Sequence, residues 1–64
     1  MTNSIRVIRE SRKMSQPDLA AKVGVHVNTI RNWERGDTDP KAENLVALSS
    51  ALNCSIEDLV TVKG

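Results

Sequence analysis

The sequence of 64 residues predicts an all-α protein built from five short helices. Apolar residues recur at helical spacings of three and four along most of the chain. Residues that favour helix ends, mainly Ser, Asp, Gly and Pro, lie between these segments. The composition agrees, because Phe and Tyr are absent and Ala, Leu, Glu, Lys and Arg are frequent. No internal repeat, low-complexity stretch or strand–turn–strand pattern interrupts the helical segments.

The first two helices are predicted from apolar spacing and from capping residues. The first is expected from about Asn3 to Lys13. Ser15 is expected to cap the second helix, with Asp18 reaching back in a capping box and Pro17 in the first turn. Gly24 ends this helix, because glycine adopts the left-handed conformation easily. The residues expected to face inward are Ile5, Ile8, Leu19, Ala20 and Val23.

The third helix is predicted over Val27–Arg35 and ends at Gly36. Ile30 and Trp33 are three residues apart and point inward, so Trp33 is expected in the core rather than stacked on a ligand. The turn after Gly24 is too short for two antiparallel helices, so the helices must cross at a steep angle. The remaining residues are mostly polar and mostly outward: Val27, Asn28, Thr29, Arg31 and Asn32.

The fourth and fifth helices follow a short loop. Asp39-Pro40 is expected to cap and begin the fourth helix, which ends near Asn53. The sequence SIED at residues 55–58 predicts a capping box and a short fifth helix. The inward residues are predicted to be Leu45, Leu48, Leu52, Ile56 and Leu59.

Size and composition predict one small domain over residues 1–64. A lone cysteine excludes an internal disulfide, and Cys54 is expected to be a small core residue rather than a redox switch. No apolar run is long enough for a membrane helix, and the N-terminus has no signal-peptide core. We therefore expect a reduced, cytosolic protein with no cofactor, no metal and no membrane partner.

The two halves of the chain differ in charge. Residues 1–36 carry a net charge of +4 and residues 37–64 carry −3, within a total of +1. A basic half and an acidic half predict one surface for an anion and another for a different partner. The steep crossing holds the third helix away from the body of the domain. Such a helix can enter the major groove of DNA, which is about 12 Å wide.

Three stretches together resemble the lambda repressor/Cro type of helix-turn-helix family, and in particular the N-terminal domains of lambdoid phage repressors. They are IRVIRESRKMSQPDLAAKVGV, TIRNWERG and DPKAENLVALSSALNCSIEDL, which cover nearly the whole chain. The resemblance implies a compact five-helix, lambda-repressor-like DNA-binding domain whose helix-turn-helix is formed by the second and third helices. The implied partner is a double-stranded DNA operator.

The resemblance also implies a role for individual residues. The positions facing base edges are Val27, Asn28 and Asn32, with Arg31 beside them. Asn can pair with adenine, Arg with guanine, and a Val methyl can touch thymine. Gln16 opens the second helix and would hold a phosphate irrespective of sequence. Other implied or possible phosphate contacts are Thr29, Arg35, Lys41 and Asn44.

Two further features are implied by the family. Arg9 and Glu34 match a partly buried ion pair that fixes the angle of the third helix. Dimerisation commonly uses the C-terminal end of these domains, and the interface is expected at Leu52, Ile56, Leu59, Val60 and Val62. His26 departs from the pattern, because the family usually has a small hydroxyl residue there. It is left as a helix cap, a phosphate contact or a solvent-exposed residue.

The resulting expectation is a sequence-specific transcriptional regulator, of the repressor type, that binds a pseudo-palindromic operator as a homodimer in a bacterial or phage-infected cell. No small-molecule effector is expected, because the chain has little room for a pocket. An antitoxin or other protein-interaction module is the alternative, since the same helices could hold another protein. An enzyme is not expected, because no nucleophile–base pair, carboxylate pair or phosphate-binding loop is apparent.

Overall fold

A computed structural model describes residues 4–60, and this part of the chain forms five α-helices and no strand. The all-α prediction with five helices is therefore confirmed. α2 packs against α3 and α4, α1 packs against α3 and α5, and α4 packs against α5. The helices are α1 (Ser4–Ser11), α2 (Gln16–Val23), α3 (Val27–Arg35), α4 (Ala42–Leu52) and α5 (Ile56–Leu59).

Two helices begin with the predicted capping boxes. At α2, the Ser15 hydroxyl accepts from the Asp18 backbone N–H at 3.1 Å, and the Asp18 carboxylate accepts from the Ser15 backbone N–H at 3.2 Å. Ser55 and Asp58 repeat this arrangement at α5, with the same two distances. Each box satisfies backbone donors that lack a partner inside the helix. Pro17 lies in the first turn of α2, as predicted.

Four helices end in the same way, with a left-handed residue after the last turn. These residues are Lys13, Gly24, Gly36 and Asn53, with φ of 62°, 87°, 83° and 55°. The following N–H then donates to the carbonyl five residues earlier, which is the Schellman arrangement. The donor–acceptor pairs are Met14–Arg9, Val25–Ala20, Asp37–Asn32 and Cys54–Ser49. The predicted ends at Gly24 and Gly36 are confirmed, whereas α1 ends at Ser11 instead of Lys13.

The predicted start of α4 at Asp39-Pro40 is wrong. The helix begins at Ala42, and Lys41 occupies the N-cap without a side-chain hydrogen bond. A lysine side chain carries only donors, so it cannot accept from the first amides of the helix. Asp39 and Pro40 therefore lie in the loop, and the observed N-cap is two residues after the predicted one.

One apolar core joins all five helices. Ala20, a small residue with little exposed surface, lies in this core within α2, the helix that packs on α3. Ile56 was predicted to be buried and is instead 41% exposed, while Leu59 is fully buried. A helix of one turn has too few residues to define an apolar stripe, so spacing alone could not separate these two. The core consists of Ile5, Leu19, Ala20, Ile30, Trp33, Leu48, Leu52 and Leu59.

Candidate nucleic-acid interface

α3 has one face in the core and the opposite face open to solvent. Ile30 is fully buried and Trp33 is 4% exposed, which confirms the predicted inward pair. Asn28 and Arg31 are exposed on the other side. The burial of Trp33 leaves its ring no surface on which a base could stack. The helix is therefore anchored by its apolar side and displays a polar one.

The four residues predicted to read bases differ in exposure. Asn28 and Arg31 are exposed and connected, because the Arg31 Nη1 donates to Asn28 Oδ1 at 3.3 Å. Asn32 is half-buried, and its Oδ1 accepts from Arg35 Nη2 at 3.1 Å. Val27 is also half-buried and packs against the core, so only part of its side chain is available to a ligand. The exposed polar surface is centred on Asn28 and Arg31.

His26 is the N-cap of α3. Its Nδ1 accepts from the backbone N–H of Asn28 at 3.1 Å. Since an accepting Nδ1 carries no proton, the neutral imidazole holds its hydrogen on Nε2, which remains a donor. Of the three roles left open for His26, the structure shows the cap. Because the His26 residue is exposed, its Nε2–H can still donate to a phosphate.

The residues predicted to contact phosphates lie around both ends of α3 and at the start of α4. Arg35 is exposed and forms an ion pair with Asp37, with 2.7 Å between Nη2 and Oδ2. Lys41 is exposed at the N-cap of α4. The half-buried members of the set are Gln16, Thr29 and Asn44.

A charged cleft of about 320 Å³ lies beside the exposed face of α3. Four arginines and two glutamates contribute to its lining, so positive charge predominates. Gln16 lies in this cleft together with Arg31 and Arg35, which brings predicted base-reading and phosphate-contacting residues to one place. The lining residues are Arg6, Arg9, Glu10, Gln16, Arg31, Glu34 and Arg35.

The floor of the cleft is a buried ion pair between Arg9 of α1 and Glu34 of α3. The Arg9 Nε donates to Glu34 Oε2 at 2.7 Å, and Nη2 donates to Oε1 at 3.2 Å. The Arg9 Nη1 also donates to the Met14 carbonyl at 2.7 Å. Hydrogen bonding to Glu34 raises the pKa of Arg9 above its ordinary value, against the opposing effect of burial. The pair ties the first helix to the end of the third.

Arg12 and Lys13 have structural roles that the sequence pattern does not predict. The Arg12 Nε donates to the Leu52 carbonyl at 2.8 Å, and its Nη2 donates to the Asn53 carbonyl at 3.1 Å. It therefore caps the C-terminus of α4 across 40 residues of sequence, and no local pattern could reveal it. Lys13 takes a left-handed conformation where a glycine would be expected.

Four of the five residues predicted for a dimer interface lie in the described part of the chain, and they divide into two groups. Leu52 and Leu59 are fully buried in the core, so they present no surface to a partner and that part of the prediction is corrected. Ile56 and Val60 are 41% and 40% exposed. Val62 lies outside the described residues. Val46, on α4, is a further exposed apolar residue, at 58%.

Cys54 is the one cysteine of the sequence. Cys54 is half-buried against the core, as predicted, and burial raises the pKa of its thiol. Within residues 4–60, no three His, Cys, Asp or Glu side chains come together as metal ligands would. None of the helices in that range has the length and hydrophobicity needed to cross a lipid bilayer.

Comparison with known proteins places this arrangement among DNA-binding regulators. Repressor protein C2 of Salmonella phage P22 is 45% identical over 60 residues, which is 94% of this chain and 28% of that protein. The HTH-type transcriptional regulator DicA of Escherichia coli K12 is 41% identical over 51 residues, covering 80% of this chain and 38% of DicA. The chain thus spans well under half the length of both relatives.

The fold is also that of a solved repressor. A crystal structure of the P22 c2 repressor protein in complex with the synthetic operator 9T in the presence of Tl+ superposes with a TM-score of 0.84. The two sequences are 46% identical, and the match covers 89% of this chain and 86% of the other. A helix-turn-helix family model matches residues 5–59. The chain therefore belongs to the helix-turn-helix family.

Proposed function

We propose that this chain is a sequence-specific, double-stranded DNA-binding transcriptional regulator of the repressor type. The observation that carries the proposal is the two-sided character of α3, with Ile30 and Trp33 in the core and Asn28 and Arg31 exposed. A helix fixed by its apolar side can insert its polar side into a major groove without losing its own packing. The likeness to P22 c2, which has been crystallised with an operator, supports the same role.

In this proposal, four residues of α3 read base edges. Asn28 and Asn32 can each donate to and accept from adenine, and Arg31 can donate twice to guanine. Val27 can touch a thymine methyl with the part of its side chain that is free of the core. Each good bidentate contact contributes about 1–3 kcal/mol of discrimination between bases. Two or three such contacts are enough to define a half-site.

The contacts to phosphates would position the domain on the duplex without selecting a sequence. Arg35 and Lys41 bring full positive charge. Gln16, His26, Thr29 and Asn44 bring hydrogen-bond donors. The N-terminus of α2, where Gln16 lies, adds the partial positive charge of the helix dipole.

We further propose that two copies bind together. A homodimer on a pseudo-palindrome would place two reading helices about 34–36 Å apart, one turn of the duplex. Among the predicted interface residues within 4–60, Ile56 and Val60 are the exposed apolar ones available for that contact. The chain would act as one DNA-binding domain, in the cytoplasm of a bacterial or phage-infected cell, without an effector ligand and without enzymatic activity.

Selection of bound duplexes from a random pool tests the proposal. We expect a pseudo-palindromic consensus with half-sites one helical turn apart. Affinity for the consensus should also fall with salt, with a slope of log K against log salt of about −0.9 for each phosphate neutralised. If Arg35 and Lys41 neutralise one phosphate each, the two protomers together neutralise about four phosphates, and the slope is about −3.6.

Two outcomes would contradict the proposal. The first is the absence of duplex binding at a salt concentration of about 50 mM, where electrostatic contacts are strong. That result would favour the alternative, an antitoxin or other protein-interaction module. The second is salt-dependent binding with no enriched sequence, which would leave a non-specific DNA-binding protein.

A further inference from the structure

Gln16 lies between two groups of opposite charge in the cleft. Its Nε2 donates to Glu34 Oε1 at 3.0 Å, and its Oε1 accepts from the Arg31 Nε at 3.3 Å. Glu34 is itself held by two hydrogen bonds from Arg9, one at 2.7 Å and one at 3.2 Å. The amide of Gln16 therefore joins the buried ion pair to an exposed arginine of α3.

The orientation of this amide follows from the chemistry of its neighbours. An ionised carboxylate can only accept hydrogen bonds, and a guanidinium can only donate them. The amide must then turn its NH₂ group to Glu34 and its oxygen to Arg31. The reverse orientation would place donor against donor and acceptor against acceptor. Gln16 is thus fixed by a rigid, buried group on one side and acts as an acceptor on the other.

The series of hydrogen bonds continues to the reading surface. The Arg31 Nη1 donates to Asn28 Oδ1 at 3.3 Å, so Arg31 bridges Gln16 and Asn28. We call this series, Arg9–Glu34–Gln16–Arg31–Asn28, the Gln16 relay. An exposed arginine has several rotatable bonds and loses considerable entropy when a ligand fixes it. Two acceptors that hold the guanidinium in advance reduce that loss.

We infer that Gln16 is a specificity-determining positioning residue, which orients Arg31 for base recognition in addition to any phosphate contact. The inference rests on the proposed function. The amide of Gln16 has a second N–H, which can donate to a phosphate while the first donates to Glu34. A phosphate contact and the placement of a base-reading arginine are then coupled through one side chain. Loss of Gln16 should alter sequence preference as well as affinity.

The test compares Gln16→Ala, Arg31→Ala and the double variant on a set of duplexes. The set contains the selected consensus and every single-base change within one half-site. Lys41→Ala is the matched control, because Lys41 is a predicted phosphate contact outside the Gln16 relay. We expect Lys41→Ala to weaken binding to all duplexes by the same factor. Thermal unfolding of each variant confirms that the domain remains folded.

At the base pair whose preference is lost in Arg31→Ala, we expect Gln16→Ala to reduce discrimination at least about fivefold, the lower limit for a bidentate contact. The double variant should lose no further discrimination there, because both changes remove the same oriented guanidinium. The inference is overturned if Gln16→Ala resembles Lys41→Ala, with equal weakening across the set. Independent, additive losses in the double variant would also overturn it.

A measurement on the free protein separates this inference from the proposed function. Hydrogen exchange of the Arg31 Nε–H, followed by NMR, should be faster in Gln16→Ala than in the unaltered chain. Equal exchange rates would show that Gln16 does not hold Arg31 and would overturn the inference even if DNA binding is confirmed. Faster exchange in a protein that binds no specific duplex would instead support the relay and contradict the proposed function.

Discussion

The buried ion pair between Arg9 and Glu34 permits a quantitative prediction for Glu34→Ala. The two side chains are 10% and 5% exposed, and the shortest distance between their charged atoms is 2.7 Å. Removing the carboxylate leaves the guanidinium in a site that water hardly reaches. Breaking such a pair by truncating one partner costs about 3–5 kcal/mol. Arg9 cannot relieve this cost by losing its proton, because arginine stays charged in proteins.

The structure places the expected loss at the lower end of that range. After truncation, the Arg9 Nη1 keeps its hydrogen bond to the Met14 carbonyl at 2.7 Å. The Glu10 carboxylate also lies 4.0 Å from the Arg9 Nη2 and offers partial compensation. We therefore expect the free energy of unfolding to fall by about 3 kcal/mol. In a domain of this size, each kcal/mol lowers Tm by about 4–8 °C, so Tm should fall by roughly 12–24 °C.

Thermal and urea unfolding, followed by circular dichroism and by fluorescence, would measure this loss. Trp33 is the single tryptophan of the chain and is buried, so its emission reports unfolding directly. Glu10→Ala is the matched control, since it removes an exposed carboxylate near the same arginine, and exposed pairs contribute about 0–1 kcal/mol. A Glu34→Ala variant that melts at the same temperature as Glu10→Ala would refute the reasoning.

Three further predictions concern the helix ends. Lys13→Gly should raise the free energy of unfolding by about 0.5–1 kcal/mol, because the cost of holding lysine in the left-handed conformation exceeds the entropic cost of glycine. The control Lys22→Gly, inside α2, should instead lower the free energy of unfolding by about 1 kcal/mol. His26→Ala should cost about 1 kcal/mol in urea unfolding through loss of the α3 cap, and His26→Ser should restore it; equal losses would argue against the cap. Hydrogen bonding to the Ser15 backbone N–H, and to a smaller extent to the Ser15 side chain, lowers the pKa of Asp18. The contribution of the ionised Asp18 to stability is therefore present above about pH 4 and is lost as the pH falls through that lowered pKa. The Tm difference between the unaltered chain and Asp18→Asn should accordingly close toward about pH 2, and a difference that persists there would show that the charge is irrelevant.

Local signals were sufficient for much of the fold. The capping box of Ser15 and Asp18 and the helix ends at Gly24 and Gly36 involve contacts between residues that are close in sequence. A local sequence pattern is therefore enough to predict them. The inward pair of α3 followed from spacing, because a nine-residue helix contains enough turns to define an apolar side. The polar residues of α3 that do not belong to this apolar side, such as Asn28 and Arg31, then form its exposed side.

Non-local contacts explain what could not be predicted. Arg12 caps carbonyls 40 and 41 residues away, and the Gln16 amide meets Glu34 and Arg31, 18 and 15 residues away. Such contacts depend on how helices pack, which no local spacing encodes. The spacing correctly predicted that Leu52 faces inward, and its burial corrects only its expected place at a dimer interface, which the family resemblance had implied.

The central claim is that the polar side of α3 distinguishes base pairs in a duplex. Its most direct test is the affinity of Asn28→Ala, Asn32→Ala and Lys41→Ala for every single-base variant of the selected half-site. We expect each asparagine variant to lose about 1–3 kcal/mol of discrimination between bases at individual positions. Lys41→Ala should weaken binding to all duplexes alike and reduce the magnitude of the salt slope by about 0.9 for each protomer. If the three variants show the same profile across all positions, α3 does not read the sequence and the claim is wrong.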